Sequence, residues 1–233
     1  MNKLFNKDYR EVELQEKVDF VLVDIPYNLG RNAYASSVRW WKNGNFKNGR
    51  SDKAESKFFE KDENFSIEEL LSYIQKNLKE DSKALIFCSF EQQMEILANY
   101  KKYKFKKYTP LVFIKNNSAE VLKANMRVVG ACEYGIIIYN GKLGTFNNKG
   151  KMIKNWMEFK RGNNNLHPTQ KPEDLIANLI ELFTNEGDLV LDCCMGSGTT
   201  GICCKKLNRN FIGIEIEEKY FNIAKNRILG DKE

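Results

Sequence analysis

Four consecutive residues, Asp24-Ile25-Pro26-Tyr27, have separate chemical uses and follow the apolar run 18–23. The tetrapeptide offers a carboxylate, two backbone carbonyls outside any strand ladder, and an aromatic ring. Together these can hold a planar group that carries an exocyclic amine. The preceding VDFVLV is short, β-branched and almost wholly apolar, which suits a strand buried on both faces. Pro26 cannot donate to a sheet ladder and turns Ile25 away from helix, so the strand should stop near Asp24. The four residues then sit beyond the carboxyl end of a central strand, where open α/β sheets bind ligands.

A second candidate lies near the C-terminus. Residues 189–201, LVLDCCMGSGTTG, read as strand, tight turn and helix. Gly196 and Gly198 allow the backbone close to a ligand, and the helix start points free N–H groups at it. Glu215 follows Gly198 by 17 residues and ends the next strand, where a carboxylate can accept both hydroxyls of a ribose. The blander reading is that the glycines only allow tight helix–strand packing. A nicotinamide cofactor is disfavoured, because only one helix remains after Glu215. Asp192 also precedes the turn, where an acid suits an amine or hydroxyl rather than a pyrophosphate. A nucleoside with a short charged tail fits better, and S-adenosylmethionine is the commonest such cofactor.

The elements that must position these residues alternate between strand and helix. Ser66-Ile-Glu-Glu69 has capping-box spacing and opens a helix to about 78. A buried strand at 84–88, a helix at 91–100, and strands at 111–114 and 133–139 follow. A helix at 172–184 has Pro172 in its first turn. Strand 188–192, a helix to 207, strand 211–215 and a last helix complete the chain. The fold class expected is α/β, a doubly wound and mostly parallel sheet.

Three motifs in this order resemble the amino-group DNA methyltransferases that modify adenine N6 or cytosine N4. Asp24-Ile-Pro-Tyr27 is similar to their catalytic Asp-Pro-Pro-Tyr, and the loop from Asp192 to Gly198 to their cofactor loop. His167-Pro-Thr-Gln-Lys171-Pro172 is similar to the segment that lines the methionine pocket. Catalytic motif first and cofactor loop last matches the circularly permuted, beta group. The resemblance covers nearly the whole chain and implies one Rossmann-like methyltransferase domain over 1–233. There are two departures: Ile25 replaces the first proline, and Cys194 stands where the family has phenylalanine.

The resemblance implies a catalytic set of Asp24, Ile25, Pro26 and Tyr27 and the cofactor S-adenosylmethionine. The implied cofactor contacts are Asp8, Asp24, His167, Thr169, Gln170, Lys171, Asp192, Cys194, Gly196, Ser197, Gly198, Thr199, Thr200, Glu215 and Ile216, without a metal. Asp8 aligns with an acid that contacts the adenine amine. Lys171 touches either the cofactor carboxylate or only solvent, and His167 is read as a polar wall rather than a base. An aromatic amine is a poor nucleophile because its lone pair is delocalised. If Asp24 and the Ile25 carbonyl accept its two N–H groups, the lone pair turns toward the methyl donor, and losing such an acceptor typically costs about 10²–10³ in rate. Tyr27 would stack on the base for roughly 1–3 kcal/mol, and a duplex base must be flipped out to arrive there. Direct transfer leaves the cysteines no nucleophilic role.

With 42% hydrophobic and 29% charged residues, the 233-residue chain is globular. Its apolar runs are too short to span a bilayer and its N-terminus lacks a signal-type core, so a cytoplasmic location without membrane contact is expected. The six cysteines include two adjacent pairs and no C-x-x-C, and read as small buried hydrophobes rather than a zinc site. The net charge of +6 permits a polyanionic partner. Trp40, Trp41 and Trp156 fall in two basic, loop-like insertions, 31–57 and 140–162, which are expected to recognise double-stranded DNA and to be mobile without it. Adenine N6 is the favoured target. Alternatives are cytosine N4, an RNA base, a protein glutamine amide, or an idle nucleic-acid-binding module. By analogy the family also admits a homodimer and a restriction endonuclease partner.

Overall fold

The computed structural model describes residues 2–28, 65–115, 130–160 and 170–230. The chain divides into two compact units, one of Met1–Asp24 with Ile67–Glu233 and one of Ile25–Ser66.

In the larger unit, strands β1 (Asn2–Asn6), β2 (Val18–Asp24), β3 (Leu78–Cys88), β4 (Lys107–Lys115), β5 (Cys132–Tyr139), β6 (Trp156–Phe159), β7 (Leu189–Asp192) and β8 (Asn210–Glu215) form one sheet. Helices α1 (Ile67–Asn77), α2 (Phe90–Asn99), α3 (Glu173–Phe183), α4 (Thr199–Lys206) and α5 (Glu218–Leu229) connect them. The strand order is β1-β8-β7-β2-β3-β5-β4-β6. Every pairing is parallel except those of β5, which runs against both β3 and β4. The mostly parallel, doubly wound sheet expected from the alternation is therefore what forms.

Burial on both faces explains why β2 reads as a continuous apolar run. Phe20 and Leu22 join a core cluster with Leu175, Leu179 and Phe183 of α3. Val21 and Val23 point the other way and are just as fully buried. The helix α1 buries Ile67, Leu70, Leu71 and Ile74 outside that cluster. Ser89 caps α2 with a full capping box, its Oγ accepting from Gln92 N at 3.2 Å and Gln92 Oε1 accepting from Ser89 N at 3.0 Å. Pro172 is the N-cap of α3, one place before the position expected for it, with extended backbone.

Several boundaries differ from the sequence expectation. β1 carries no strand pattern in the sequence, yet it pairs with β8 over its whole length. β3 begins at Leu78, six residues early, and its exposed Lys79, Glu80 and Asp81 hide it from a hydrophobicity reading. Residues 156–159, read as loop, form β6 on the sheet edge beside β4. Asn147 ties the preceding segment to the end of α3, donating from Nδ2 to Glu181 O at 3.1 Å and Thr184 O at 2.9 Å. The insertion 140–162 is thus partly built into the sheet. Two of the six cysteines also depart from the buried reading: Cys132 is exposed and Cys194 half-buried.

In the smaller unit, Asn28 adopts a left-handed φ of 55°. Its side chain clasps the backbone of Phe65, donating to the carbonyl at 3.3 Å and accepting from the amide at 3.1 Å. One amide side chain thereby closes the base of the long excursion. The candidate insertion 31–57, with Trp40 and Trp41, lies outside the described residues, as do His167 and Thr169.

Candidate active site

The strand order brings four distant acids to one edge. Asp24, Asp192 and Glu215 end the adjacent parallel strands β2, β7 and β8, and Asp8 follows β1, the next strand outward. The chain leaves β2 toward β3 and returns through β7 on its other side, so the β2/β7 junction is the switch point where such sheets form a ligand crevice.

The loop after β7 is held from several directions. Asp192 is buried and accepts from Cys194 N at 3.1 Å and from Thr200 Oγ1 at 2.7 Å. Glu215 Oε2 accepts from Gly196 N at 2.8 Å, and its Oε1 accepts from Glu217 N at 2.8 Å. Met195 N donates to Ile214 O at 3.0 Å, and Arg227 Nη1 donates to Ser197 O at 2.6 Å. Burial pushes Asp192 up to about 7, against the pull of its Thr200 and Cys194 bonds, and the charges of Asp24 and Glu215 add to the rise. Burial also raises Glu215, opposed by the Glu217 and Gly196 amides.

At the end of β2, Lys171 Nζ donates to Asp24 Oδ2 at 2.6 Å and lies 3.2 Å from Glu133 Oε2. Lys115 holds the other oxygen of Glu133 at 2.7 Å. Lys171 is only 7% exposed, and its ammonium lies 5.1 Å from the centroid of the Phe87 ring. Burial alone would raise Glu133, but Lys171 and Lys115 outweigh it and hold its carboxyl below the usual range. The neighbouring thiols are suppressed. Burial raises Cys88 to about 12, with Asp24 adding to the rise, and Cys194 is raised by its bond to Cys193 and by burial. Protonated thiols are poor nucleophiles.

These strand ends and their loop have counterparts in known proteins. The family model described as N6_N4_Mtase, DNA methylase, matches residues 18–226. The chain belongs to this DNA methylase family. Among curated relatives, Type II methyltransferase M2.DpnII of Streptococcus pneumoniae is 51% identical over 67 residues, 29% of this chain and 25% of the relative. The chain thus matches about a quarter of that relative's length. The solved structure of M1.HpyAVI in complex with SAM has a TM-score of 0.72 and 27% identity, covering 97% of this chain and 100% of that one. The cytosine-N4-specific PvuII DNA methyltransferase shares the fold, with a TM-score of 0.71 at 16% identity over 97% of this chain and 86% of its own.

Within this methylase-family fold, the expected residues separate into groups. Asp24, Asp192, Glu215 and the 193–198 loop share one edge of the sheet. Ser197 and Thr200 turn inward, to Arg227 and Asp192, so they support the loop. Thr199 is buried, whereas Ile216 is 38% exposed beside Glu215. Asp8 caps the turn at Tyr9–Glu11 and is paired with Arg10 at 2.9 Å, so much of its carboxylate is already engaged. Gln170 carries a buried amide whose Oε1 and Nε2 have no hydrogen-bond partner among the described residues. Lys171 is not at the solvent, one of its two expected places. Sequence reasoning missed Glu133 and Lys115, although a charge at the mouth of the apolar strand EYGIIIY is a usable signal.

Among the described residues, no helix is long and apolar enough to cross a membrane, and no group of His, Cys, Asp and Glu could hold a metal.

Proposed function

We propose that the chain transfers a methyl group from S-adenosylmethionine to the exocyclic amine of a flipped-out base in double-stranded DNA, with adenine N6 as the target. The carrying observation is the convergence of Asp24, Asp192 and Glu215 at adjacent strand ends on both sides of the switch point. The residues present fit the cofactor. The pinned loop offers its backbone, Glu215 keeps lone pairs beyond its two amide bonds, and the Gln170 amide has no hydrogen-bond partner among the described residues. Asp192, Cys194, Gly196, Glu215, Ile216 and Gln170 would hold the cofactor, with Asp8, His167 and Thr169 carried over from the motif pattern. When bound, S-adenosylmethionine supplies an electrophilic methyl on a sulfonium.

The protein's own part is acceptance and orientation. Asp24 and the Ile25 carbonyl take the two amine N–H groups, and Tyr27 stacks on the base. Fixed acceptors of this kind act where charge develops in the transition state. Adenine is favoured over cytosine because an Asp heads the tetrapeptide. The segments 31–57 and 140–162 are proposed to face the DNA. In the second, Lys149, Lys151 and Lys154 surround exposed Met152, Ile153 and Trp156, with the Lys154 ammonium 4.6 Å from the Trp156 ring centroid. A restriction endonuclease partner is supported by the Type II designation of the relative.

The test is transfer of tritiated methyl to unmodified DNA by the native chain and by Asp24→Ala. The native chain should label DNA, and the variant should bind cofactor in calorimetry without labelling. No transfer by the native chain rejects the enzyme reading. Digestion of labelled DNA to N4-methylcytosine instead of N6-methyladenine rejects the base.

A further inference from the structure

The cation beside Asp24 has an unusual setting. Lys171 lies between two carboxylates, 2.6 Å from Asp24 and 3.2 Å from Glu133, and is almost fully buried. Lys115 pairs with the other oxygen of Glu133 at 2.7 Å, which restrains the rotation of that carboxylate. The order is Lys115, Glu133, Lys171, Asp24, with alternating sign and zero net charge. Lysine is a point charge on a flexible stem and by itself positions a partner poorly. A partner clamped from its far side removes that freedom.

We infer that Lys171, clamped by Glu133 and Lys115, is a positioning residue that fixes the rotation and the charge of Asp24, rather than a grip on the cofactor's carboxylate. The inference rests on the methyl-transfer reading, since a positioned acceptor matters only if Asp24 receives the amine. Two physical arguments support it. A third carboxylate at Lys171 would gather three anions about one buried cation, which low dielectric penalises. Asp24 must also remain ionised to accept, because a protonated carboxyl turns one oxygen into a donor facing the amine's own N–H groups.

Neutral and anionic groups lie near Asp24 on the neighbouring strands. Cys88 faces it from β3, Asp192 faces it from β7, and Glu215 lies beyond on β8, all neutral or negative. Lys171, 2.6 Å from Asp24, is a cation that offsets them.

The experiment uses the native chain, Glu133→Gln, Lys171→Met and Lys171→Arg. It measures kcat against pH on saturating DNA, calorimetric Kd for S-adenosylmethionine, and thermal unfolding. Lys171→Met should lower kcat by about 10²-fold. The acid limb of its profile should move to higher pH, because Asp24 and Glu133 then face each other without a shared cation. Lys171→Arg should recover part of the rate. Glu133→Gln should lower kcat by about tenfold or more through misplacement. Cofactor Kd should stay within about twofold of the native value in every folded variant.

A Kd raised tenfold or more in Lys171→Met, with kcat at saturation preserved, makes Lys171 the cofactor grip and overturns the inference. Unchanged kcat and pH profile in folded Glu133→Gln also overturns it. If Lys171→Met does not fold, Glu133→Gln and Lys171→Arg decide. A native chain that transfers no methyl removes the methyltransferase reading itself, whereas unaffected variants on an active native chain sink the inference alone.

Discussion

Alanine at position 198 separates two uses that a glycine can have in the loop after β7. One is to admit a ligand to the backbone, and the other is to admit a neighbouring helix. The structure favours the second at this residue. Gly198 has a φ of +81°, and a Cβ built on it lies 2.8 Å from Ala224 Cβ and 3.1 Å from Ala224 Cα. Ile228 Cδ1, at 3.0 Å, can shift, but Ala224 is fully buried in α5 and its Cβ and Cα have no rotamer with which to give way. Left-handed backbone costs a non-glycine residue roughly 1–2 kcal/mol, and overpacking adds about 1–3 kcal/mol. Gly198→Ala should therefore destabilise the cofactor-free chain by about 2–5 kcal/mol.

Gly187→Ala is the internal control. Its φ is +84°, and a Cβ there meets no atom within 4 Å. It should lose only the conformational part, about 1–2 kcal/mol. Urea unfolding of both variants without cofactor isolates the packing contribution as their difference. In a chain of this size that difference corresponds to a gap of about 2–12 °C in Tm. Equal losses in the two variants, with cofactor binding weakened only in Gly198→Ala, would refute the argument and return the glycine to ligand approach.

Asp192 carries a pH signature. With its folded pKa raised to about 7, the folded state holds a proton that the unfolded state has lost between pH ~4 and ~7. Stability from this group therefore falls as pH rises through that window, by on the order of 4 kcal/mol. Asp192→Asn, whose amide can still bond Thr200 and Cys194, should gain on the native chain from pH 5 to pH 8 in urea midpoints, and parallel curves would sink the claim. Lys83 has the opposite slope. It is buried, donates to Thr145 O at 2.6 Å and Phe183 O at 3.2 Å, and burial lowers it to about 8. Between pH 8 and 10 the folded state binds fewer protons than the unfolded one, so the native chain should gain on Lys83→Met by roughly 2 kcal/mol. No relative gain would contradict the buried-charge reading. Replacing Lys149, Lys151 and Lys154 with glutamine should weaken DNA binding and reduce the salt slope by up to about three, leaving cofactor affinity unchanged. An unaltered slope would remove this segment from the DNA-facing surface.

Strands β2, β7 and β8 were legible because burial on both faces writes itself as apolar runs. The missed strand segments are of another kind. β1 is half-buried with Asn and Lys in a five-residue span, and β6 offers four residues, one of them buried. Both lie at the ends of the sheet, where ladder pairing rather than burial defines the strand. The same holds for the start of β4, where Lys107, Tyr108 and Pro110 are exposed yet paired with β5. Hydrophobic periodicity reads burial, so it is blind to residues held mainly by backbone hydrogen bonds.

The site divides along a similar line. A tetrapeptide and a glycine loop are local, and their chemistry shows in consecutive residues. The charges around Asp24 are not local: Lys171 is 147 positions away, and Lys115 and Glu133 each read alone as the solvated end of an apolar strand. Strand direction is what unites them. In a parallel sheet the residues at the ligand edge are the last of each strand, as Asp24, Asp192 and Glu215 are. β5 is reversed, so its early residues lie at that same edge: Tyr134 is opposite Cys88 near the end of β3, and Glu133 is opposite Phe113 near the end of β4. One antiparallel strand among parallel neighbours thus presents the start of its sequence where the others present their ends. A search for site residues confined to strand C-termini passes over Glu133 for that reason, and with it the group that holds Lys171 against Asp24.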